Sequence, residues 1–353
     1  MNNNARKNII YSLVLFALVV AVYAYRNREG RPAGEDLPQS ESGTVSFSGQ
    51  TMGTTYQITY LDEENRNFQP SIDSLLNRLN QSISTYEPTS EVNRFNLRDT
   101  LLAPSPTLLS ILAEANRMYD LSNGAVDPTQ SALDKIWSFS PSGAKLQDST
   151  EVSNVLASVG LKKLIVTDTL IRKTNSGISL DFGRSGKGYA VDLIGAFLNE
   201  KGIKHYLVQL GGENLAVGKN AREELWKIGV YYLADSMGQK GEGILALSDQ
   251  AISTAGNLDQ FYTKDSTRVS FTLDPRTGFP VTHGLLGVTV IGTDSKTTDA
   301  MADALLVMGW REAIRLDSLR NDLEMLLIYN EKGGRLRQYV SPELVKYLSF
   351  EVK

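Results

Sequence analysis

Apolar residues in this chain follow two rhythms that take turns. Thr44 to Tyr60 alternates and is rich in Thr, Tyr and Val, the period-two pattern of a strand or hairpin entry. Ile72, Leu75, Leu76, Leu79 and Ile83 then fall at helical spacing behind Pro70-Ser71. The same spacing predicts helices over Thr107–Leu121 (stopped at Asn123-Gly124), Ser149–Val159, Ala190–Lys201 (ended by Gly202), Thr297–Met308 and Arg311–Leu319, with a short one over Thr129–Trp137. Strands are predicted over Lys163–Asp168, Ile171–Thr174, His205–Leu210, Trp226–Leu233, Gly243–Ser248, Ser266–Leu273, Leu286–Ile291 and Glu324–Asn330. No internal repeat is evident. The mixture predicts an α+β protein, with a mostly antiparallel sheet flanked by helices.

Residues 1–27 stand apart. Arg6 and Lys7 precede an almost uncharged run from Asn8 to Tyr25, near the roughly 17–25 residues a membrane-crossing helix needs. No small-x-small cleavage site follows, so the run reads as an uncleaved signal anchor. The expectation is a single anchor in the inner (cytoplasmic) membrane, a polar tether over 28–43, and a catalytic domain over 44–353 on the periplasmic, extracytoplasmic side.

Composition narrows the chemistry. In 353 residues, 41% are hydrophobic and 22% charged, which fits a folded globular chain. A net charge of −4 gives no basic field for nucleic acid. There is no cysteine, which removes disulfides, thiolate metal sites and cysteine nucleophiles. With two histidines only, His205 and His283, any metal must be held mainly by oxygen, which points to magnesium or calcium.

One stretch concentrates candidate chemistry: Leu180-Asp-Phe-Gly-Arg-Ser-Gly-Lys-Gly-Tyr-Ala-Val-Asp192. Asp181 ends an apolar run, a Gly-rich turn follows, and Lys187 stands at the mouth of a helix. Small residues, helix-start N–H groups and a lysine suit a phosphate. The spacing is not that of a P-loop, and an ordinary strand-to-helix turn would look the same. Asp299 and Asp303, four apart on a helix that is apolar nearly all round, place two carboxylates on one face. Buried without a cation they would cost several kcal/mol by order of magnitude, so a hard cation such as magnesium is expected there. Tyr86, after a Pro turn, is either a stacking ring or core. Asp127 is either a helix cap before Pro128 or part of a ligand loop. Ala251–Asn257 reads as a hydroxyl-bearing loop, and Arg276 in Asp274-Pro-Arg-Thr-Gly278 pairs with a phosphate or with a neighbouring carboxylate.

Taken together these segments resemble the FAD:protein FMN transferases, or ApbE-type flavin transferases. The matching stretches run in one collinear order over roughly residues 45 to 330. They are Thr51-Met-Gly-Thr54, Ser84-Thr-Tyr-Glu-Pro88, Gly124-Ala-Val-Asp-Pro-Thr129, Leu180-Asp181 with Gly186-Lys-Gly-Tyr-Ala-Val-Asp192, Gly211-Gly-Glu213, Ser253-Thr-Ala-Gly256, Asp274-Pro-Arg-Thr-Gly278 and Thr298-Asp-Ala300. The resemblance implies an ApbE-like (T-fold-related) architecture with FAD in a cleft. It implies Mg2+-dependent splitting of the FAD pyrophosphate. FMN would pass by a phosphoester bond to a threonine of a partner flavoprotein subunit of a membrane redox complex.

By the same resemblance, Met52, Tyr86, Ala125, Val126, Asp127, Gly183, Tyr189 and Leu273 line FAD. Gly186, through its carbonyl, with Asp299 and Asp303 holds the metal. Asp181, Lys187 and Arg276 are the catalytic candidates. Three positions depart from the family pattern. Asp303 stands where threonine is usual, Arg184 where a small residue is usual, and Phe271 where a histidine usually precedes the Asp-Pro-Arg-Thr-Gly turn. His283 matches a position away from the active centre. Phe271 keeps a second reading open, a catalytically weakened FAD carrier or assembly protein; the resemblance also leaves a third, an FAD pyrophosphatase releasing FMN and AMP.

Overall fold

The computed structural model describes residues 43–350 apart from 147, 149, 234–239, 257, 259, 321 and 332–334. In chain order the elements are β1 (Thr44–Thr51), β2 (Thr54–Leu61), α1 (Gln69–Ile83), α2 (Glu91–Asn96), β3 (Thr100–Leu102), α3 (Pro106–Leu121), α4 (Ser131–Asp134), β4 (Trp137–Ser140), β5 (Gly143–Leu146), α5 (Glu151–Leu156), β6 (Leu164–Val166), β7 (Leu170–Lys173), α6 (Gly186–Glu200), β8 (Tyr206–Leu210) and β9 (Glu213–Val217). There follow β10 (Trp226–Leu233), β11 (Lys240–Leu247), β12 (Gln250–Gly256), β13 (Phe261–Lys264), β14 (Thr267–Ser270), β15 (Leu273–Asp274), β16 (Phe279–Pro280), β17 (Leu285–Gly292), α7 (Ser295–Met308), α8 (Trp310–Asp317), β18 (Glu324–Asn330), β19 (Leu336–Val340) and β20 (Leu348–Phe350).

Eight strands form one sheet in the order β1-β2-β8-β9-β12-β17-β18-β19, and every neighbouring pair is antiparallel. Alternation within each strand sorts side chains to two faces. On β2, Tyr56, Ile58 and Tyr60 are buried and Gln57 and Thr59 are not. One face carries the helices: Ile72, Leu76 and Leu79 of α1 and Ile194 and Leu198 of α6 share a core with Ile58 and Val208. Val288 and Val290 of β17 pack with Ala304 and Leu305 of α7. On the other face Ile252, Leu326 and Ile328 meet Ile228 and Val230 of β10, in the small sheet β10-β11-β20. Each buried Val, Leu or Ile of these cores is worth about 1.5–3 kcal/mol against exposure. The α+β, antiparallel reading holds.

Local differences from the sequence reading have physical causes. Ala251–Gly256 is not a loop: 250–256 is a central strand paired with β9 and β17, and the hydroxyls of Ser253 and Thr254 meet Thr298 Oγ1 (2.8 Å) and Thr289 Oγ1 (3.0 Å); Asn257 lies outside the described residues. Helix α6 begins at Gly186, four residues before the expected Ala190, since tertiary contact overrides the poor helix propensity of two glycines. Helix α3 matches its expected span, with Pro106 in its first turn, Ser105 accepting from Leu108 N (3.1 Å), and Asn123 and Gly124 at φ 51° and 75° beyond its end.

The inner-membrane location expected from the sequence is corrected. No helix among the described residues is long and apolar enough to cross a membrane. The longest, α3, has 16 residues. Its rise of about 24 Å falls short of a ~30 Å hydrocarbon layer, and it carries Glu114, Arg117 and Asp120. Residues 1–27, on which the anchor expectation rests, lie outside the described residues, as does the tether up to 42.

Helices α6 and α7 touch at backbone distance. A Cβ on Gly188 would lie 2.4 Å from Ser295 O and 2.6 Å from Asp299 Cβ. Asp192, one turn on, accepts from Ser295 N (2.8 Å) and Lys296 N (3.0 Å), and Asp294 caps the same helix through Thr297 N (3.0 Å). Gly188→Ala is expected to cost about 1–3 kcal/mol, as overpacking does, read by urea unfolding; an unchanged midpoint would contradict the contact. Burial raises Asp192 to about 6. The folded protein therefore favours the protonated form, so its stability contribution is full below about pH 4 and declines as pH rises to about 6. Wild type is expected to lose stability relative to Asp192→Asn across that window in paired urea melts, and parallel curves would contradict the assignment.

Candidate active site

The turn between Leu180 and helix α6 organises the site. Asp181 N donates to Pro128 O (2.8 Å), and Asn96 brackets Leu180 by accepting from its N and donating to its O (2.7 and 2.8 Å). Asp181 Oδ1 accepts from Gly183 N (2.8 Å), which tightens the turn. Helix-start N–H groups do not all point outward: Gly186 N donates to Phe182 O (2.7 Å) and Gly188 N to Asp299 Oδ2 (2.8 Å). Anion attraction at this helix start therefore leans on side chains more than on free amides.

Two cavities flank the turn and share Asp181 and Gly183. One is lined by Met52, Tyr86, Gly186 and Lys187. Met52 and Gly53 form the two-residue turn of the β1–β2 hairpin, both with positive φ (50° and 72°). Methionine in that conformation costs on the order of 1–2 kcal/mol, and strain of this kind is concentrated at functional sites. Tyr86 is 92% exposed, a ring held out to solvent rather than placed in the core. The other cavity is lined by Ala125, Val126, Asp127, Arg184 and Asp303. Asp127 is 5% exposed and its carboxylate is occupied by the backbone: Oδ1 accepts from Thr129 N and Oγ1 (2.8 and 2.6 Å), and Oδ2 from Leu161 N (3.1 Å). Its part is to hold the Ala125–Val126 loop in shape, although burial still raises its pKa.

Four other expected residues lie off the two cavities, Asp299 of the charge cluster described below among them. Tyr189 is half-buried against the core under α6. Leu273 is 2% exposed and packs with Leu133 and Val152. Arg276 pairs with Asp274 through Nε and Nη2 (2.8 and 2.7 Å), the carboxylate option rather than the phosphate one.

Behind the turn stands a cluster of charge. Lys187 pairs with Glu213, whose side chain is 2% exposed. Burial works against the charge of Lys187, yet Asp299 and Glu213 outweigh it and its pKa rises. Asp299 is 5% exposed. Burial, reinforced by Glu213 and opposed by Lys187, holds its pKa well above the usual carboxylate range. Burial raises Asp303 too, against the pull of Arg184 and Lys187. Glu213 Oε2 is buried with no partner. Among the described residues no three His, Asp or Glu side chains form a ready-made cage. What exists is a pair of acidic side chains on one helix face, an orphaned carboxylate oxygen nearby, and the Gly186 backbone across the turn. Oxygen donors with surplus negative charge and low exposure suit a hard divalent cation whose shell is completed by water and ligand oxygens.

Glu213 is the residue the sequence reading quoted, in Gly211-Gly-Glu213, without giving it a task. The signal lay in an acid at the start of a strand directly after two glycines. Gln130 was not singled out at all; its Nε2 is buried without a partner and the residue lines the Ala125 cavity. Asp134 lines that cavity as well and lies 3.7 Å from Arg184. Two of the departures noted in the sequence, Arg184 and Asp303, thus carry opposite charges at one cavity. Phe271 stacks between Phe139 (ring centroids 5.3 Å) and Tyr262 (6.3 Å) and lines neither cavity. His283 Nε2 bonds Val307 O (2.9 Å), and burial lowers its pKa.

This arrangement has counterparts of known name. Residues 52–327 match the family model described as the ApbE family. The chain is 31% identical over 326 residues to the FAD:protein FMN transferase of Vibrio cholerae, covering 90% of this chain and 96% of that one. It is 28% identical over 310 residues to the FAD:protein FMN transferase of Haemophilus influenzae, covering 84% and 89%. Among solved structures, flavin transferase ApbE from Vibrio cholerae superposes with a TM-score of 0.75 at 28% identity, over 86% of this chain and 99% of that one. The apo form of the Pseudomonas stutzeri flavinyl transferase ApbE gives 0.75 at 27% identity, over 86% and 96%. With the motifs in order, the fold shared and most of the chain matched, this chain belongs to the ApbE family.

Proposed function

We propose that the chain is an FAD:protein FMN transferase that works with Mg2+ and delivers FMN to a threonine of a flavoprotein partner. The observation that carries this reading is the buried charge cluster of Lys187, Glu213, Asp299 and Asp303 beside a turn flanked by two cavities. Phosphoryl transfer asks for positioning and charge neutralisation rather than a covalent protein group.

In the proposed reaction the threonine hydroxyl oxygen attacks the phosphorus on the FMN side of the pyrophosphate. A new P–O bond forms to threonine, the P–O bond to the AMP phosphate breaks, and AMP leaves with that electron pair. The hydroxyl proton is taken up by Asp181, the carboxylate that lines both cavities. Lys187 and Arg184 face the negative charge of the phosphates from either side of the turn. Met52 and the exposed Tyr86 ring offer a surface for one flat ring, and the Ala125–Val126 loop a shelf for the other. A divalent ion held by Asp299, Asp303 and the Gly186 carbonyl would supply charge neutralisation to the pyrophosphate oxygens.

No histidine lines either cavity. That favours, as a second reading, a carrier that binds FAD without cleaving it. Incubation with FAD, Mg2+ and an acceptor flavoprotein separates the two. AMP release matched by fluorescent flavin on the acceptor is the expected result. Tight FAD binding without AMP contradicts the transferase, and AMP without labelled acceptor indicates a pyrophosphatase. Asp299→Ala is expected to lower the transfer rate at least about 10²-fold, on the scale of other losses of transition-state charge stabilisation.

The raised pKa of Asp299 gives a sign to the metal dependence. A proton and a cation compete for the same oxygens, and the folded state favours the proton as pH falls. Mg2+ is therefore expected to raise the melting temperature of the FAD-free protein more at pH 8 than at pH 5. At hundredfold excess over its dissociation constant the gain is about 2.7 kcal/mol. Asp299→Asn should remove that gain, and a Mg2+ shift that is absent at both pH values, or equal at both, would contradict the site.

A further inference from the structure

Tyr86 unites an unsupported ring with a well-supported backbone. Its side chain is more exposed than any other large hydrophobic one among the described residues. The chain leaves α1 at Ser84 in an extended conformation (φ −69°, ψ 128°), and Ser84 N still donates to Asn80 O (3.0 Å). Ser84 Oγ then accepts from Tyr86 N (3.2 Å) and Glu87 N (3.3 Å). Left to these local bonds, an arm of this length would exchange among several turn conformations.

Asn93 of α2 removes that freedom. Its Nδ2 donates to Thr85 O (3.0 Å) and to Glu87 O (2.7 Å), the carbonyls on either side of Tyr86. Because those neighbours are carbonyls, the nitrogen of the amide and not its oxygen must face them. Ser90 Oγ donates to Ser84 O (2.6 Å) and accepts from Asn93 N (3.0 Å), which fixes the foot of the arm. The clamp stands on firm ground. Val92 and Phe95 of the same helix are fully buried in the core beside α1. Glu91, itself 8% exposed, accepts from Ser82 Oγ of α1 (2.7 Å) and from Ser105 N at the start of α3 (2.8 Å).

The facing wall of the cavity hangs on the same end of α1. Asn80 Nδ2 donates to Thr51 Oγ1 (3.0 Å), next to the strained Met52 turn, and Asn80, Met52 and Tyr86 line one cavity. Asn93 does not line it. Holding an aromatic ring out in water gains the fold no burial, whereas a ring that is already in place spares a ligand the cost of ordering it.

We propose that Asn93 is a positioning residue: it clamps residues 84–88 so that the Tyr86 ring stands ready to stack on a flat ring of the dinucleotide. This deepens the transferase reading and rests on it for the ligand. Isoalloxazine and adenine both present a π-face, and the arms of the test tell them apart.

The test is a double-mutant cycle on FAD binding, read by calorimetry on the full chain with Mg2+ and without acceptor. Asn93→Ala and Tyr86→Leu are each expected to weaken FAD about tenfold, a difference of ~1.4 kcal/mol. The double variant is expected to bind within about twofold of Tyr86→Leu, because Asn93 acts only through the ring. Independent contributions would multiply to about a hundredfold. FMN and AMP titrated separately identify the stacked ring: the half that loses affinity on Tyr86→Leu is the one that Tyr86 meets. Hydrogen exchange of the FAD-free protein supplies a readout without ligand. Asn93→Ala is expected to speed exchange over 85–90 while β8 and β17 stay as slow as in wild type. If Asn93→Ala does not fold, Asn93→Ser carries the same cycle; with one donor for two carbonyls it is expected to fall between wild type and the loss of Tyr86.

Multiplying losses, an Asn93 variant that binds FAD as wild type does, unchanged exchange over 85–90, or neither half-ligand responding to Tyr86→Leu overturns the proposal. The two levels fail separately. FAD that does not bind wild type removes the transferase reading, and FAD that binds wild type and Asn93→Ala alike removes the clamp alone.

Discussion

The close approach of α6 to α7 is the constraint on which the rest of the site depends. Only a residue without a side chain at position 188 lets Ser295 O and Asp299 come so near. Once they do, the Gly188 amide binds Asp299 Oδ2, and Asp192 seals the start of α7. Two consequences follow. The carboxylate of Asp299 is carried into a buried position where its negative charge is costly. The Gly-rich turn, with Lys187 on it, is fixed opposite that carboxylate.

The cost of that burial is what makes the site receptive. Lys187 and Glu213 neutralise one another, leaving Asp299 and Asp303 with only part of the compensation they need. In the proposed reading a divalent cation with phosphate oxygens in its shell would relieve the remainder. Strong perturbation of carboxylates beside a cleft is a recurring mark of functional sites, because a group selected for stability alone would not be left in such surroundings. Met52, held at positive φ in a two-residue turn beside Gly186, belongs to the same pattern of local expense at the site.

Much of this was legible in the amino-acid sequence, and the exceptions are instructive. Helices α1 and α3 announce themselves because each buries one apolar stripe, and α7 because it is apolar nearly all round. Asp299 and Asp303 were recognisable as a pair because the helix from 300 to 308 is apolar apart from Asp303 itself. Strand β12 was read as a loop because Ser-Thr-Ala-Gly is a turn-like composition; its backbone pairing with β9 and β17 makes it a central strand, and contacts to Thr298 and Thr289 satisfy its hydroxyls. The start of α6 was displaced because Gly186 and Gly188 are poor helix formers, and the contacts that favour them are distant in sequence: Ile83 and Met52 for Gly186, Ser295 for Gly188. Lys187 was expected to face a phosphate; its partnership with Glu213 arises from a strand crossing that no local pattern encodes. Phe271, which stands where the family usually has a histidine, is accommodated locally by its place between Phe139 and Tyr262.

The central claim is that Asp299 and Asp303 hold a divalent cation on the pyrophosphate of a bound flavin dinucleotide. The direct measurement is anomalous diffraction from crystals grown with FAD and Mn2+ in place of Mg2+. The account predicts one strong manganese peak within coordination distance of the Asp299 and Asp303 carboxylates, the Gly186 carbonyl and the FAD phosphates. A bound FAD whose phosphates carry no metal, or a manganese peak confined to exposed carboxylates elsewhere on the surface, would contradict it.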